Sequence, residues 1–168
     1  TYFFNGGVEE KFHGEDRILV PSPRVRTYDM KPEMSAFEVR DEILKSLKKK
    51  SHDLIVANFA NPDMVGHTGN MEATVKAVEV VDKCVGEIFH QCKKSQYSLI
   101  LTSDHGNADK MFDKNKQIVC TTHSINTVPF IICEKIEYNI RNGKLADIAP
   151  TILKMLNIDI PNEMKGIP

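Results

Sequence analysis

The 168 residues are close to the size of one ordinary domain, and a hydrophobic share of 41% is enough for a packed core, which excludes a disordered chain. With 22 basic and 23 acidic residues the formal net charge is -1, so neither nucleic acid nor a membrane is indicated as a partner. The four cysteines have no CxxC spacing, and neither a signal peptide nor a membrane-spanning apolar run is present, which predicts a reduced, cytoplasmic protein.

The sequence pattern predicts little regular secondary structure in the first 34 residues. Residues 2–4 are predicted to form a short strand that ends at the turn signal Asn5-Gly6-Gly7, and residues 18–20 are a candidate for a second short strand. Prolines in the segment 8–34 break any longer element. Because the chain opens on an apolar, strand-like segment with no polar lead-in, we expect it to be a piece of a longer polypeptide.

Two helices and a strand are predicted in the next part of the chain. Ser35 and Glu38 have the spacing of a capping box, which predicts a helix to about Lys49 with a solvated basic end. Residues 54–59 are predicted to form a buried strand. A long helix is predicted from about Met71 to Lys93, because apolar residues recur there at helical spacing and are expected to lie in the core. These residues are Val75, Val78, Val81, Val85, Ile88 and Cys92.

Two further buried strands and a last helix complete the pattern. The strands are predicted at 98–102 and 128–133, and the helix is predicted from Asp147, as its N-cap, to about Leu156. The alternation of short apolar strands with helices predicts an α/β domain with a mostly parallel sheet. In such sheets ligands bind beyond the carboxyl ends of the strands.

Acidic and histidine side chains lie at three of these strand edges. Asp63 and His67 follow the first buried strand, Asp104 and His105 follow the second, and His123 precedes the third. Carboxylates and imidazoles are ligands for manganese or zinc, and two such ions about 4 Å apart can balance charge during phosphoryl transfer. Each motif alone is weak evidence, but the three together predict a metal site for phosphoryl transfer.

Glycines near these motifs are expected to let the backbone turn. Gly66, Gly69 and Gly106 have this predicted role. Asp104 and His105 can share one ion only if the chain turns between them, because adjacent side chains of an extended strand point apart. Among the other polar residues, Asp109 is interpreted either as a support for a ligand or as solvated surface.

These motifs resemble those of the cofactor-independent phosphoglycerate mutases, which belong to the alkaline-phosphatase superfamily. The resemblance covers essentially the whole chain. The similar segments are 2–7, 28–35, 58–69, 103–109, the surroundings of His123, and 147–151. The resemblance implies an α/β fold, an alkaline-phosphatase-like three-layer sandwich, of which residues 1–168 would be the C-terminal segment. The N-terminal strands and an inserted domain of that fold would be absent from this chain.

The resemblance also implies a division of the metal ligands. Asp63, His67 and His123 would hold one manganese ion, and Asp104 and His105 would hold the second, with zinc or another divalent ion as an alternative. An upstream Asp and the nucleophilic Ser of the family have no counterpart in these residues, so no catalytic nucleophile is expected in this chain.

The implied reaction of the whole enzyme interconverts 3-phosphoglycerate and 2-phosphoglycerate in glycolysis, through a phosphoserine intermediate. The implied partners are this small-molecule substrate and the missing N-terminal part of the same polypeptide, and the family suggests a monomer. Two alternatives remain open: a related metal-dependent phosphopentomutase or phosphohydrolase, and a non-catalytic metal-binding fragment. We expect these residues alone to show no mutase turnover.

Overall fold

The computed structural model describes residues 2–134 and 139–168, which form two compact units, Thr1–Cys133 and Glu134–Pro168. The prediction that the whole chain is one domain stays a prediction. In the first unit the helices are α1 (Ala36–Lys49), α2 (Asn61–Gly66) and α3 (Met71–Ser95). Its strands are β1 (Leu99–Thr102), β2 (Phe112–Asp113), β3 (Ile118–Val119) and β4 (Phe130–Cys133). Short 3₁₀ helices lie at Tyr2–Asn5 and Tyr28–Met30.

Helix α1 was predicted with its correct end but with the wrong cap. Ser35 is the N-cap residue, yet its hydroxyl donates a hydrogen bond to the carbonyl of Pro21 at 2.7 Å and caps no backbone N–H of the helix. The predicted capping box is therefore wrong, because a tertiary contact takes the hydroxyl. On the buried side of the helix, Leu47 packs with Ile88 and Cys92 of α3.

Helix α3 confirms the predicted long helix, and the side chain of Asn70 caps it by accepting a hydrogen bond from the Ala73 N–H. The predicted core stripe is only partly right. Ile88 and Cys92 are buried, whereas Val75 is 50% exposed and Val78 is 44% exposed. Because α1 and α2 pack against another face of the helix, its buried residues are mostly small. They are Ala73, Thr74, Ala77, Cys84, Ile88, Cys92 and Ser95.

The α/β class is confirmed, but the strand pairs of the described residues are antiparallel. Strand β1 pairs with β4 from Leu99↔Cys133 to Thr102↔Phe130, and β2 pairs with β3 in a short hairpin. The expected parallel pairing is wrong for these strands, because parallel neighbours need a crossover connection and the segment between β1 and β4 contains the β2–β3 hairpin and no helix.

Three predicted strands do not form. Residues 2–5 form a 3₁₀ helix, and residues 18–20 and 54–59 have no strand pairing in the described part of the chain. Unpaired strands leave their backbone N–H and C=O groups without partners, so apolar character alone does not make a strand. The segment 54–59 is also less buried than predicted, since Leu54 is 50% exposed and Val56 is 53% exposed.

The second unit contains a 3₁₀ helix at Leu145–Asp147 and helix α4 at Ile148–Met155, with Pro150 buried in its first turn. The carboxylate of Asp147 does not cap α4 as predicted. It accepts hydrogen bonds from the backbone N–H groups of Ile167 at 2.8 Å and Lys144 at 3.0 Å, which lower its pKa. No helix in the described residues is both long enough and apolar enough to cross a membrane.

Candidate metal centre

Helix α2 carries the first pair of predicted ligands. Asp63 and His67 were expected in a loop, but Asp63 lies in the helix and His67 is its C-cap residue. Pro62 favours a helix start because its fixed φ suits the first turn. The amide of buried Asn61 anchors this start by donating to the carbonyls of Pro32 and Glu33. Residues four apart share one helix face, and His67 Nε2 lies 3.2 Å from Asp63 Oδ1.

The second pair lies where the chain bends after β1. The bend at Asp104 and His105 agrees with the expectation that the two side chains can approach each other only at a turn. His105 Nε2 lies 3.5 Å from Asp104 Oδ2, and His105 Nδ1 lies 3.9 Å from Asp63 Oδ1. The side chain of Asp104 is 80% exposed, so its carboxylate is largely open to solvent.

His123 brings the third segment to the same carboxylate. Its Nε2 lies 3.2 Å from Asp63 Oδ1, and its ring stacks on that of His105 with the centroids 3.6 Å apart. Its centroid also lies 5.1 Å from that of His67. The candidate ligand atoms of Asp63, His105 and His123 all lie within 4.8 Å of one another. One oxygen, Asp63 Oδ1, is therefore the centre of the cluster.

The hydrogen bonds of the cluster fit a cation. The carbonyl of Thr121 can only accept, and it lies 2.6 Å from His67 Nδ1, so this nitrogen carries a proton. Nε2 is then the ring nitrogen left to bind a cation, and it lies 3.2 Å from Asp63 Oδ1. In addition, His105 Nδ1 is buried and has no hydrogen-bond partner among the described residues. Imidazole nitrogens and a carboxylate suit manganese or zinc, so these residues fit such an ion.

The structure brings the five predicted ligands into one neighbourhood. Asp63, His67 and His123 lie together as expected, and His105 joins them by stacking on His123. Among the described ion pairs, Asp104 contacts His105 and none of the other predicted ligands. The assignment of three ligands to one ion and two to the other stays a prediction.

Asn107 is a residue of the site that the sequence analysis missed. It is 5% exposed, and its Nδ2 donates to Asp63 Oδ1 at 2.7 Å. Gly66 makes room for it, because a Cβ at position 66 would lie 2.5 Å from Asn107 Oδ1. The only signal in the sequence was the position of Asn107 two residues after His105, and spacing does not distinguish such an amide from an ordinary loop residue.

The predicted roles of the glycines are partly corrected. Gly69 does turn the backbone, with φ +74, in the left-handed region that favours glycine. Gly66 and Gly106 do not have positive φ, and each is needed because a neighbouring side chain approaches its Cα closely. Packing rather than turning therefore explains these two positions.

A cavity of about 260 Å³ opens beside Asp63, Asp104 and His105. Its wall is formed by residues 58–60 before α2, the loop 103–109 and residues 127–129 before β4. Asp63 and Asp104 also line it, so a small ligand in this cavity would lie beside candidate metal ligands.

The chain is similar to known proteins in both sequence and structure. The Metalloenzyme superfamily matches residues 1–160. A 2,3-bisphosphoglycerate-independent phosphoglycerate mutase of Gracilaria tenuistipitata var. liui is 56% identical, covering 99% of this chain and 33% of that protein. The protein of the same name from Ehrlichia ruminantium (strain Gardel) is 51% identical, covering 99% of this chain and 34% of that protein.

A solved structure is also similar. The phosphoglycerate mutase of Leishmania mexicana, crystallised at low cobalt concentration, superposes with a TM-score of 0.87 and 29% identity. The superposition covers 99% of this chain and 34% of that protein. The chain thus spans about a third of the length of the curated relatives it matches.

Proposed function

Because the chain belongs to the metalloenzyme superfamily, we propose that it supplies most of the metal site of a 2,3-bisphosphoglycerate-independent phosphoglycerate mutase. Such an enzyme is an isomerase, and the proposed reaction interconverts 3-phosphoglycerate and 2-phosphoglycerate. The observation that carries the proposal is the convergence of His67, His105 and His123 on Asp63 Oδ1.

The proposed ligands keep the division that the family resemblance implies. Asp63, His67 and His123 would hold one manganese ion, and Asp104 and His105 would hold a second. When bound, divalent ions supply positive charge that stabilises a transferring phosphoryl group and activates the attacking oxygen. The cobalt named for the Leishmania mexicana structure supports a site for a divalent ion.

The chain's own residues have three proposed tasks. Thr121 and Asn107 hold His67 and Asp63 in the orientation that ligation needs. The cavity beside Asp104 accommodates the phosphate end of the substrate.

We propose that the nucleophilic Ser, and with it the phosphoserine intermediate, belongs to a part of the enzyme outside these residues. The length of the relatives supports this division.

Calorimetric titration with manganese tests the site. We expect the full-length protein to bind the ion, and His123→Ala to abolish binding at one site. His90→Ala is the matched control, because His90 is exposed on α3 and is not part of the described cluster. Equal loss of binding in both variants would contradict the ligand assignment.

A coupled assay tests the reaction. The full-length protein should convert 3-phosphoglycerate to 2-phosphoglycerate without added bisphosphoglycerate, and a chelator should abolish turnover. Pentose phosphates and simple phosphate esters serve as competing substrates. A preference for either of these would replace the proposed reaction by that of a phosphopentomutase or a phosphohydrolase, while manganese binding without any turnover would favour a non-catalytic metal-binding protein.

A further inference from the structure

The loop that carries His123 has no regular secondary structure. Residues 121–129 have no helix or strand, and His123 itself is 49% exposed. A ligand in such a segment keeps its position only if the loop is fixed to something outside itself, because an irregular exposed segment otherwise samples many conformations. The Thr121 carbonyl is held by His67 before His123, and Thr102 Oγ1 donates to the Pro129 carbonyl at the far end of the loop. Directly after His123, the neighbouring loop 103–109, which carries His105, provides the attachment.

Asp109 is the centre of that attachment. Its carboxylate accepts hydrogen bonds from Ser124 Oγ at 2.9 Å and from Asn126 Nδ2 at 2.5 Å. The backbone continues the connection, since the Ser124 N–H donates to the Gly106 carbonyl at 2.8 Å in an isolated antiparallel bridge. Ser124 directly follows His123, so these hydrogen bonds to Asp109 and Gly106 hold the residue next to the predicted ligand.

Gly106 shows how tightly the two loops are joined. A Cβ at this position would lie 2.7 Å from Asp109 Oδ1 and would overlap Ser124 Oγ. A larger side chain at this position would displace the Ser124 hydroxyl or the Asp109 carboxylate, and so would disturb the hydrogen bond between them.

The carboxylate of Asp109 is well suited to accept these bonds. Burial opposes its ionisation, but the hydrogen bonds from Asn126 and Ser124 outweigh that effect and lower its pKa below the ordinary value. An ionised acceptor makes stronger hydrogen bonds than a neutral one. The group therefore stays charged and bonded at neutral pH.

We propose that Asp109 is a positioning residue of the metal centre, which holds His123 against His105 and Asp63 by tying the two ligand-bearing loops together. The inference rests on the metal site of the proposed function. Asp109 acts through Ser124 and Asn126 and is not itself a ligand, because both oxygens of its carboxylate already accept hydrogen bonds from these two side chains. Outer residues that orient metal ligands typically change metal affinity by roughly 10- to 100-fold when they are removed.

The test compares three variants of the full-length protein by manganese calorimetry and thermal unfolding. Asp109→Asn replaces the charged carboxylate by a neutral amide with a single acceptor oxygen, so the hydrogen bonds from Ser124 and Asn126 are weakened. The double variant D109N/N126D exchanges the two groups and restores one charged acceptor opposite one amide donor. Asp113→Asn is the matched control, because Asp113 also accepts loop hydrogen bonds, from the N–H groups of Asn115 and Lys116, but lies in the β2–β3 hairpin.

We expect Asp109→Asn to raise the manganese dissociation constant by roughly 10- to 100-fold and the exchange variant to recover most of the loss. Asp113→Asn should leave the constant unchanged. If Asp109 were a ligand, the exchange would not restore affinity, and that result would overturn the proposal. So would an unchanged dissociation constant in Asp109→Asn.

Two controls keep the outcomes separate. Thermal unfolding of the metal-free variants shows whether Asp109→Asn is folded. If it is not, Asn126→Ala takes its place, because it removes one of the same hydrogen bonds and should also raise the dissociation constant; an unchanged constant would overturn the proposal. A parent protein that binds no manganese would refute the metal site and with it this inference. A parent that binds with the same affinity as Asp109→Asn would refute only the role of Asp109.

Discussion

Asn107 and Asp63 are 44 residues apart in the sequence, and a 2.7 Å hydrogen bond from Asn107 Nδ2 to Asp63 Oδ1 joins them at the metal centre. The same oxygen faces the Nε2 atoms of His67 and His123, each at 3.2 Å. The amide therefore fixes the rotation of the carboxylate around which the imidazoles gather. A second hydrogen bond, to the backbone carbonyl of Asp63 at 3.4 Å, holds the amide itself in place.

Asn107→Ala should weaken manganese binding by roughly 10- to 100-fold, because Asp63 loses the donor that orients it. Calorimetric titration measures the change. Gln91→Ala is the matched control: its amide also donates a side-chain hydrogen bond, to Ser95 at 2.8 Å, but within α3 and away from the cluster. Undiminished affinity in Asn107→Ala would show that the carboxylate needs no such support.

Gly66→Ala and Gly86→Ala should have opposite effects on stability. A Cβ at position 66 would lie 2.5 Å from Asn107 Oδ1, whereas one at position 86 would meet nothing within 4 Å. Overpacking should lower the free energy of unfolding by about 1–3 kcal/mol at position 66. Alanine should raise it by about 0.5–1 kcal/mol at position 86, inside α3. Urea unfolding of both variants measures the two changes, and equal effects would contradict the crowding at Gly66.

Val65→Ala and Val75→Ala test which side of the helices is packed. Val65 is fully buried in a cluster with Met34 and Ala77, and Val75 is 50% exposed. Loss of two buried methyl groups should cost about 2 kcal/mol of unfolding free energy, because a cavity remains in the packed cluster. Loss of the same groups at Val75 should change the free energy of unfolding by less than about 0.5 kcal/mol. A large decrease of this free energy in Val75→Ala, measured by chemical unfolding, would mean that this face of α3 is covered.

Glu15→Gln should destabilise the protein at neutral pH but not near pH 2. The Arg17 guanidinium, with help from the Phe12 N–H, lowers the pKa of the Glu15 carboxyl from 4.5 to about 2. The folded protein thus holds this proton less tightly than the unfolded chain does. The stabilisation is therefore complete above about pH 4.5 and is lost as the pH falls through about 2.

Melting temperatures of Glu15→Gln and the parent between pH 2 and pH 7 check this dependence. The two curves should differ at pH 7 and converge toward pH 2. Glu42→Gln serves as the control, since Glu42 forms only an exposed pair with Lys45 at 3.4 Å and such pairs contribute little. A difference between Glu15→Gln and the parent that is the same at every pH would contradict the lowered pKa.

Helices α1 and α3 could be predicted to within about two residues at each end, because helical periodicity and capping depend on neighbours within one or two turns. Strands are harder to predict from the sequence. The apolar runs correctly predict β1 and β4, but the same pattern predicts a strand at 54–59, to which the described residues offer no pairing. A strand depends on a partner that is distant in sequence, and an apolar run does not reveal whether such a partner is present.

The sequence by itself determined the residue types and approximate placement of the candidate metal ligands: Asp63, His67, Asp104, His105 and His123 each follow or precede an apolar segment. Only the tertiary structure decided that Asp63 Oδ1 lies at the centre, because the histidines reach it from separate segments of the chain. The same holds for Asn107 and Asp109, whose roles arise from side chains 44 and 15 to 17 residues away. Local patterns are set by covalent neighbours, whereas the geometry of a site is set by which distant groups pack together.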